Sequence, residues 1–185
     1  MANAEKVNVK GAELDGDIKI NKHFSFNSSV AYTDGKYVTF TNAPLPLEET
    51  GAKDANGVAY YAKDASGGQL PGISKWAGTI GGEYSTEGKL LGNTGRFFIA
   101  SDAYGRSSFS SSPTPSAYLN IDSYILLNAR IGFRASKGVS VTAWGRNILD
   151  KNYFEQLLPG AGNAGHYAAV LGDPATYGIT IKYTL

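Results

Sequence analysis

Apolar and polar residues alternate with a period of two along most of the chain. Within residues 23–40 the apolar residues occupy even positions and the polar residues odd ones. A β-strand points successive side chains to opposite faces, so this segment predicts a strand with one apolar and one polar face. The apolar set comprises Phe24, Phe26, Val30, Tyr32, Val38 and Phe40.

The same alternation recurs in six other segments and predicts seven strands in all. Helix-like spacing of apolar residues is poor everywhere, which favours an all-β, antiparallel fold. Three of the segments alternate clearly and three more weakly. The clear ones are residues 123–134, 139–147 and 177–185, and the weaker ones are 9–20, 74–87 and 95–107.

The connections between the predicted strands alternate between short and long. This asymmetry is typical of outer-membrane barrels, which have short periplasmic turns and long extracellular loops. The shorter connections are residues 21–22, 86–93 and 136–138, and the long, polar ones are residues 41–72, 108–120 and 155–174.

Two architectures fit such strands: a soluble sandwich with its apolar face inward, and a membrane barrel with that face toward lipid. Strands of 12 or more residues exceed the usual length of about 5 or 6 in globular proteins. Charges on the polar faces suit a watery lumen better than a closed core. The alternation therefore predicts lipid-facing side chains at Phe24, Phe26, Ile125, Leu127 and Ile131, and charged lumenal ones at Arg130, Arg134, Arg146 and Lys182.

Composition narrows the possible functions. The 185 residues contain no cysteine, which excludes disulfides, thiolate metal sites and a cysteine nucleophile. Seventeen basic and sixteen acidic residues give a net charge of +1, so no basic field indicates nucleic acid binding. A mean hydropathy of −0.21 is compatible with a membrane barrel, because half of each strand faces water.

The C-terminal third resembles TonB-dependent outer-membrane receptors. Residues 145–153, GRNILDKNY, resemble the penultimate-strand motif of that family, and residues 172–178, GDPATYG, resemble the start of its last strand. The closing alternation is similar to the family's C-terminal assembly signal, and residues 70–76 resemble a strand start common in the family. The motif positions are Gly145, Asn147, Asp150, Tyr153, Gly172, Asp173, Pro174 and Tyr177, and the assembly signal includes Tyr183 and Leu185.

The resemblance implies that residues 1–185 form the C-terminal segment of a barrel of about 22 strands, a size typical of outer-membrane transporters. The seven predicted strands and their connections leave no segment for the family's plug domain or TonB box. The implied function is uptake of a scarce nutrient (a siderophore-iron complex, cobalamin or an oligosaccharide) across the bacterial outer membrane with TonB energy. The implied partners are the TonB–ExbB–ExbD system through the missing plug, the outer-membrane assembly machinery, the lipid bilayer, and the remaining strands or another chain.

Two departures from the family pattern leave an alternative open. Seven strands is an odd number, and the last residue is Leu185 where family members usually end in an aromatic residue. An open sheet would leave two edges of unpaired backbone groups in lipid, which is costly. The alternative is a standalone β-sheet binding or structural module, or a small barrel that closes by oligomerising, without energised transport.

The resemblance implies ligand contacts from the extracellular loops and the upper lumen. Aromatic rings can stack on flat or sugar-like ligands, and arginine can pair with an anionic siderophore group. The alternative is that the loop tyrosines only pack the loops together. The candidates are Tyr60, Tyr61, Arg106, Tyr118, His166 and Tyr167.

Other motifs favour neither an enzyme nor a cofactor or metal site. The glycines at 160, 162 and 165 match a dinucleotide-binding pattern but lie in a long loop without the βαβ unit it needs. Serines within residues 107–112 lack the G-x-S-x-G context of a nucleophile. Glu48, Glu49, Asp54 and Asp64 could supply oxygen ligands to calcium, but their spacing fits no EF-hand. We expect no catalytic residue, cofactor or metal.

Overall fold

The computed structural model describes residues 3–160 and 165–184. Thirteen β-strands occur in these two ranges, seven of them long. They are β1 (Lys6–Lys19), β2 (Phe24–Thr39), β3 (Ala43–Pro44), β4 (Ala62–Lys63), β5 (Trp76–Leu90), β6 (Asn93–Arg106), β7 (Phe109–Ser110), β8 (Asn120–Ile121), β9 (Tyr124–Ala135), β10 (Gly138–Arg146), β11 (Phe154–Pro159), β12 (Tyr167–Leu171) and β13 (Thr176–Thr184).

The long strands form one antiparallel sheet in the order β1-β2-β5-β6-β9-β10-β13. Each strand therefore pairs with the next long strand along the chain, and the predicted all-β, seven-stranded antiparallel sheet is confirmed. In the described part of the chain the sheet is open, with β1 and β13 at its two edges. No helix in that part is long and apolar enough to cross a membrane.

The connection between β5 and β6 is shorter than the sequence predicts. The alternation fades after Glu87, but the backbone ladder continues to the pair Leu90–Asn93 and leaves a two-residue turn. Leu91 and Gly92 in this turn both have positive φ, of 48° and 81°, as expected for a type I′ turn. The prediction of a loop over residues 86–93 was therefore wrong, because cross-strand hydrogen bonds extend the strands through polar and glycine residues.

The two faces of the sheet differ in polarity, as predicted. The register aligns even positions of β2 and β5 with odd positions of β6, β9, β10 and β13. We call this side the apolar face. It carries Phe24, Phe26, Ile80, Ile99, Ile125, Leu127, Ile131, Ile179 and Ile181. The opposite side, the polar face, carries Glu83, Arg96, Asp102, Arg130, Arg134, Arg146 and Lys182.

The polarity reverses near the loop end of β2. Tyr32 and Trp76 pack together on the apolar face with ring centroids 4.8 Å apart. Beyond this pair, Tyr37 on the other face is buried and packs against Phe40, with ring centroids 4.8 Å apart. Phe40, predicted to share the apolar face, is instead 3% exposed, because it follows the last residue of β2 and turns under the first long loop.

Each long loop contains a two-stranded sheet. In residues 41–72 strand β3 pairs with β4, in 108–120 and just beyond it β7 pairs with β8, and in 155–174 β11 pairs with β12. These polar segments lack the alternation that marks the long strands. The predicted loops thus hold short hairpins and one 3₁₀ turn, Leu47–Glu49.

The predicted assembly signal lies at the end of β13. Tyr183 lies on the apolar face of β13, exposed at the sheet edge. Leu185 lies outside the described residues, as does Gly162 of the glycine-rich loop.

Candidate functional site

The carboxylate of Glu48 joins the three long loops. One of its oxygens accepts a hydrogen bond from the backbone N–H of Ala117 at 2.8 Å, and the other accepts one from the Tyr167 hydroxyl at 2.6 Å. Glu48 belongs to the first loop, Ala117 to the second and Tyr167 to the third. We call Glu48, Ala117, Tyr118 and Tyr167 the loop junction.

Both titratable groups of the loop junction have shifted pKa values. Partial burial alone would raise the pKa of Glu48, but hydrogen bonds from Tyr167, Ser116 and two backbone N–H groups outweigh this effect and lower it to about 2. Partial burial together with the neighbouring Glu48 carboxylate raises the pKa of Tyr167 to about 12. The carboxylate is therefore charged and the phenol neutral over a wide pH range, which keeps the hydrogen bond intact.

Two of the predicted ligand-contacting tyrosines meet at the loop junction. The rings of Tyr118 and Tyr167 have centroids 5.2 Å apart and are tilted by 35°. Tyr118 remains 60% exposed, so one ring stays open to solvent while the other is held by Glu48. This pair offers an aromatic surface at the point where the loops converge.

The other candidates lie apart from that pair. Tyr61 is 88% exposed and Tyr60 about half exposed in the first loop. His166 is exposed beside Gly160 in the third loop. Arg106 donates hydrogen bonds to the Ser74 hydroxyl and the Gly72 carbonyl and lies 3.7 Å above the Phe109 ring. Arg106 thus anchors loop backbone, whereas the tyrosines leave surface for a ligand.

The acidic residues of the first loop each have a separate partner. Glu49 pairs with Lys63 at 2.6 Å, Asp54 accepts hydrogen bonds from the backbone of Asn56 and Val58, and Asp64 accepts one from the backbone of Ser66. Within the described ranges no group of three or more histidine or carboxylate side chains could hold a metal ion. These carboxylates stabilise turns in the loop.

The serine run in the second loop is also engaged in hydrogen bonds. The Ser107 hydroxyl accepts from the backbone N–H of Trp76, and the Ser111 hydroxyl accepts from that of Leu157. The Ser112 hydroxyl accepts from the backbone N–H of Thr114. These contacts connect the second loop to β5 and β11.

Several arginines of the polar face are held by other groups of the protein. Arg134 forms two hydrogen bonds with the Glu83 carboxylate, at 2.5 and 2.7 Å, and its guanidinium lies 3.8 Å above the Phe98 ring. Arg96 donates to the carbonyls of Lys22 and Ser85. These contacts fix two positive charges near the short-turn end of the sheet.

Comparison with known families identifies the sheet. The sequence of residues 1–148 matches the family described as TonB dependent receptor-like, beta-barrel. The chain belongs to this family. Homologous TonB-dependent receptors are transporters of the outer membrane.

Two solved receptor structures share the fold. The ferric yersiniabactin uptake receptor FyuA from Yersinia pestis has a TM-score of 0.71 and 13% identity, covering 97% of this chain and 24% of that receptor. The siderophore receptor PiuA from Acinetobacter baumannii has a TM-score of 0.63 and 18% identity, covering 95% of this chain and 21% of that receptor. This chain thus spans about a quarter of the length of these receptors. No curated protein matches the sequence significantly.

The two family-like motifs of this TonB-dependent receptor segment meet at one corner. The Asn147 amide donates hydrogen bonds to the carbonyls of Lys151 and Asp173, both at 3.0 Å, and accepts one from the backbone N–H of Lys151. The Asp150 carboxylate accepts a hydrogen bond from the backbone N–H of Ala175. The motifs therefore connect the end of β10 to the start of β13, which sets where the third loop leaves and rejoins the sheet.

Aromatic residues complete the same corner. The Tyr153 ring packs on Gly172 and lies 4.5 Å from the Tyr124 ring, centroid to centroid. Tyr177 packs on Gly145 across the strand pair. The predicted motif residues thus act in the architecture of the receptor segment, beneath the third loop.

Sequence reasoning considered Glu48 only as a possible calcium ligand and did not predict its role in the loop junction. The sequence places it in an acidic loop, where it is indistinguishable from Glu49. Its partners lie 69 and 119 residues away along the chain. No local pattern could identify them, because the contact exists only once strand pairing has brought the three loops together.

Proposed function

We propose that this chain is the C-terminal portion of an outer-membrane receptor that takes up a ferric siderophore with energy from TonB. The observation that carries the proposal is the combination of a sheet that has one apolar and one polar face with three long loops gathered by Glu48 at one end. In this proposal the apolar face contacts lipid and the polar face lines the barrel lumen. Of the two similar structures named above, one is described as a ferric yersiniabactin uptake receptor and the other as a siderophore receptor. That likeness supports siderophores over the cobalamin and oligosaccharide ligands that the sequence leaves open.

The loops provide a surface suited to the capture step. Tyr118 and Tyr167 present adjacent rings, and Tyr60, Tyr61 and His166 add exposed aromatic groups in the first and third loops. Catecholate and phenolate groups of metal chelators are flat aromatic rings and would stack on such side chains. In this proposal Glu48 positions Tyr167, and the two rings contact the ligand.

The energised step requires parts beyond these strands. The sheet edges at β1 and β13 expose unpaired backbone groups, which the bilayer penalises strongly. We propose that the remaining strands of a barrel of about 22 cover both edges. In this proposal a plug responds to the TonB–ExbB–ExbD system, and the outer-membrane assembly machinery inserts the complete barrel.

The proposal is tested with the gene at its native locus. Uptake of radioactive iron, supplied with a panel of catecholate, hydroxamate and phenolate siderophores, is compared between the wild type, a deletion strain and a TonB-deficient strain. We expect uptake of at least one ferric siderophore to require both the gene and TonB. Uptake that is unchanged in the deletion strain across the panel would contradict the proposal.

The alternative of a standalone module predicts a different behaviour. A binding or structural module, or a small oligomeric barrel, would fold without further strands and give no TonB-dependent uptake. An in-frame plug and TonB box in the native reading frame, together with TonB-dependent uptake, would exclude this alternative. Folding of the chain as a detergent-free monomer would instead support it.

A further inference from the structure

A pocket opens on the polar face between β6, β9, β10 and β13. Its volume is about 320 Å³, within the range of small-molecule sites, and its walls include two arginines, a tryptophan and an aspartate. Arg146 is the last residue of β10, at the end where the long loops begin. The pocket therefore lies in the outer half of the lumen wall, below the loops. These lining residues are Asp102, Arg130, Trp144 and Arg146.

The two arginines of this pocket differ from the others on the same face. Arg134 and Arg106 are engaged by the protein, the first by a carboxylate and the second by a hydroxyl and a carbonyl. In the described part of the chain, neither Arg130 nor Arg146 takes part in a salt bridge. Both are exposed to the lumen, so their guanidinium groups are available to a ligand.

The aspartate and the indole N–H of the pocket are already paired. Asp102 accepts a hydrogen bond at 2.7 Å from the Asn128 amide, and Asn128 in turn accepts one from the backbone N–H of Asn147. The Trp144 indole N–H donates to the Thr180 hydroxyl at 3.1 Å, which orients its ring 5.4 Å from the Arg146 guanidinium. The pocket thus has two unpaired cations and one carboxylate, for a net charge of +1.

We propose that Arg130 and Arg146 form a lumenal site for an oxyanion group, a carboxylate or phenolate, of the molecule that this receptor transports. A guanidinium binds a carboxylate through two parallel hydrogen bonds, and two guanidinium groups on adjacent strands can share the two oxygens of a carboxylate or converge on the one oxygen of a phenolate. The Trp144 ring would support a flat ligand beside them. This inference rests on the proposed transport function and makes its substrate an anionic chelate.

The position of the site gives it a role between capture and release. A ligand leaving the aromatic residues of the loops would meet Arg146 first, at the end of β10, and Arg130 one strand away. Arg134 cannot provide the next contact without giving up Glu83. The site is therefore a discrete resting point on the lumen wall.

Arginine labelling tests this site directly. Phenylglyoxal, which reacts with guanidinium groups, is applied to the purified receptor encoded by the native locus, with and without millimolar citrate as the oxyanion probe. Mass spectrometry of peptides reports the rate at each arginine. We expect citrate at about ten times its Kd to slow labelling at Arg130 and Arg146 by about tenfold, because only the unoccupied site reacts, and to leave Arg134 unchanged.

Two controls distinguish specific binding of citrate at the two arginines from nonspecific effects of an added solute. Glycerol, which is neutral, should protect neither arginine. The variant Arg130→Gln should abolish citrate protection at Arg146, whereas Lys137→Gln, in the exposed turn between β9 and β10, should retain it. The fraction of each variant that runs as folded protein on an unheated gel is measured in parallel, and the wild-type result stands independently of the variants.

Three results would overturn the proposal. Equal labelling with and without citrate would show that no oxyanion binds. Equal protection of every exposed arginine would show only general screening of charge. Slow labelling of both arginines even without citrate would show that another part of the receptor, such as acidic residues of a plug, occupies them. Iron uptake is measured separately. Protection by citrate without TonB-dependent uptake would support the oxyanion site and reject the transport function. Uptake without protection would support transport and reject the oxyanion site.

Discussion

The ring of Tyr177 lies directly on Gly145 of the neighbouring strand. The two residues are cross-strand partners of β13 and β10, and a Cβ atom built on Gly145 would lie 2.8 Å from Cδ1 of the ring. On the opposite face, the Trp144 ring packs in the same way on its partner Gly178. Each glycine leaves space that the facing aromatic ring fills, an arrangement that pins the register of an edge strand.

Substitution of Gly145 by alanine should therefore destabilise the β10–β13 pair. The new methyl group would displace Tyr177 or Ile148, with a cost of about 1–3 kcal/mol for overpacking. The measurement is the temperature at which the folded band of the receptor disappears on an unheated gel. The control is Gly16→Ala in β1, where the nearest atom lies 3.9 Å from the added Cβ. An equal effect of both substitutions would contradict this account.

The two faces of the sheet should respond differently to an added charge. Ile80 and Thr79 are adjacent in β5, with Ile80 on the apolar face and Thr79 on the polar face. If the apolar face contacts lipid as proposed, Ile80→Arg should cost up to about 2–4 kcal/mol, because hydrocarbon does not solvate a cation. Thr79→Arg should be tolerated in the aqueous lumen.

The readout of this pair is the amount of folded receptor in the outer membrane. Asn128 is not a suitable lumenal control, although it neighbours Leu127, because its amide contacts both Asp102 and the backbone of Asn147. Similar folded yields for the Ile80 and Thr79 variants would contradict the lipid-facing assignment.

Loss of the Glu48 carboxylate should separate the three loops. Glu48→Gln removes the charged acceptor of both the Ala117 N–H and the Tyr167 hydroxyl. Because the chain contains no cysteine, introduced cysteines at Asn56 and Ala168 can carry spin labels. We expect a broader distribution of distances between them. Glu49→Gln, which affects an ion pair within one loop, is the control.

The same spin-label distance should depend on pH only at the extremes. The pKa of Glu48 is lowered from 4.5 to about 2, so its contribution is complete above pH 4.5 and is lost as the pH falls toward 2. The pKa of Tyr167 is raised from 10.0 to about 12, so its contribution is present below pH 10 and is lost as the pH rises through 12. Broadening between pH 5 and pH 9 would be inconsistent with this hydrogen bond.

Asn147 should tolerate glycine better than alanine, and neither well. The residue has φ = +46° and is 4% exposed, and its amide makes three hydrogen bonds to backbone groups. Either substitution leaves buried groups unpaired, at about 1–3 kcal/mol each. Alanine additionally costs about 1–2 kcal/mol for its left-handed backbone.

Leu91 provides the matched control for the cost of the left-handed backbone. It has φ = +48° in the β5–β6 turn and is 89% exposed. Leu91→Gly should therefore leave the melting temperature of the receptor unchanged or raise it. A larger loss of stability for Asn147→Gly than for Asn147→Ala would contradict the proposed ranking.

The two sequence motifs that resemble the family contain much of the corner between β10 and β13. Asn147, Asp150, Tyr153 and Tyr177 were selected from short sequence patterns, and all four make contacts where β10 gives way to the third loop or where β13 returns. Resemblance to the family motifs selected these positions, and the structure supplies the physical reason: a left-handed backbone, a turn and an aromatic–glycine pair each favour particular residue types. The sequence could not show which backbone groups Asn147 contacts, since Asp173 lies 26 residues away.

The alternation of residues by itself determined the seven strands, their two faces and the side on which the long loops lie. It could do so because the direction of a side chain from a strand depends only on the strand's own backbone. Strand register decided the rest. It buried Phe40 under the first loop, brought Glu48 to Tyr167 and paired Arg134 with Glu83. These contacts depend on which distant segments become neighbours, and hydrogen bonding between strands settles that only when the sheet has formed.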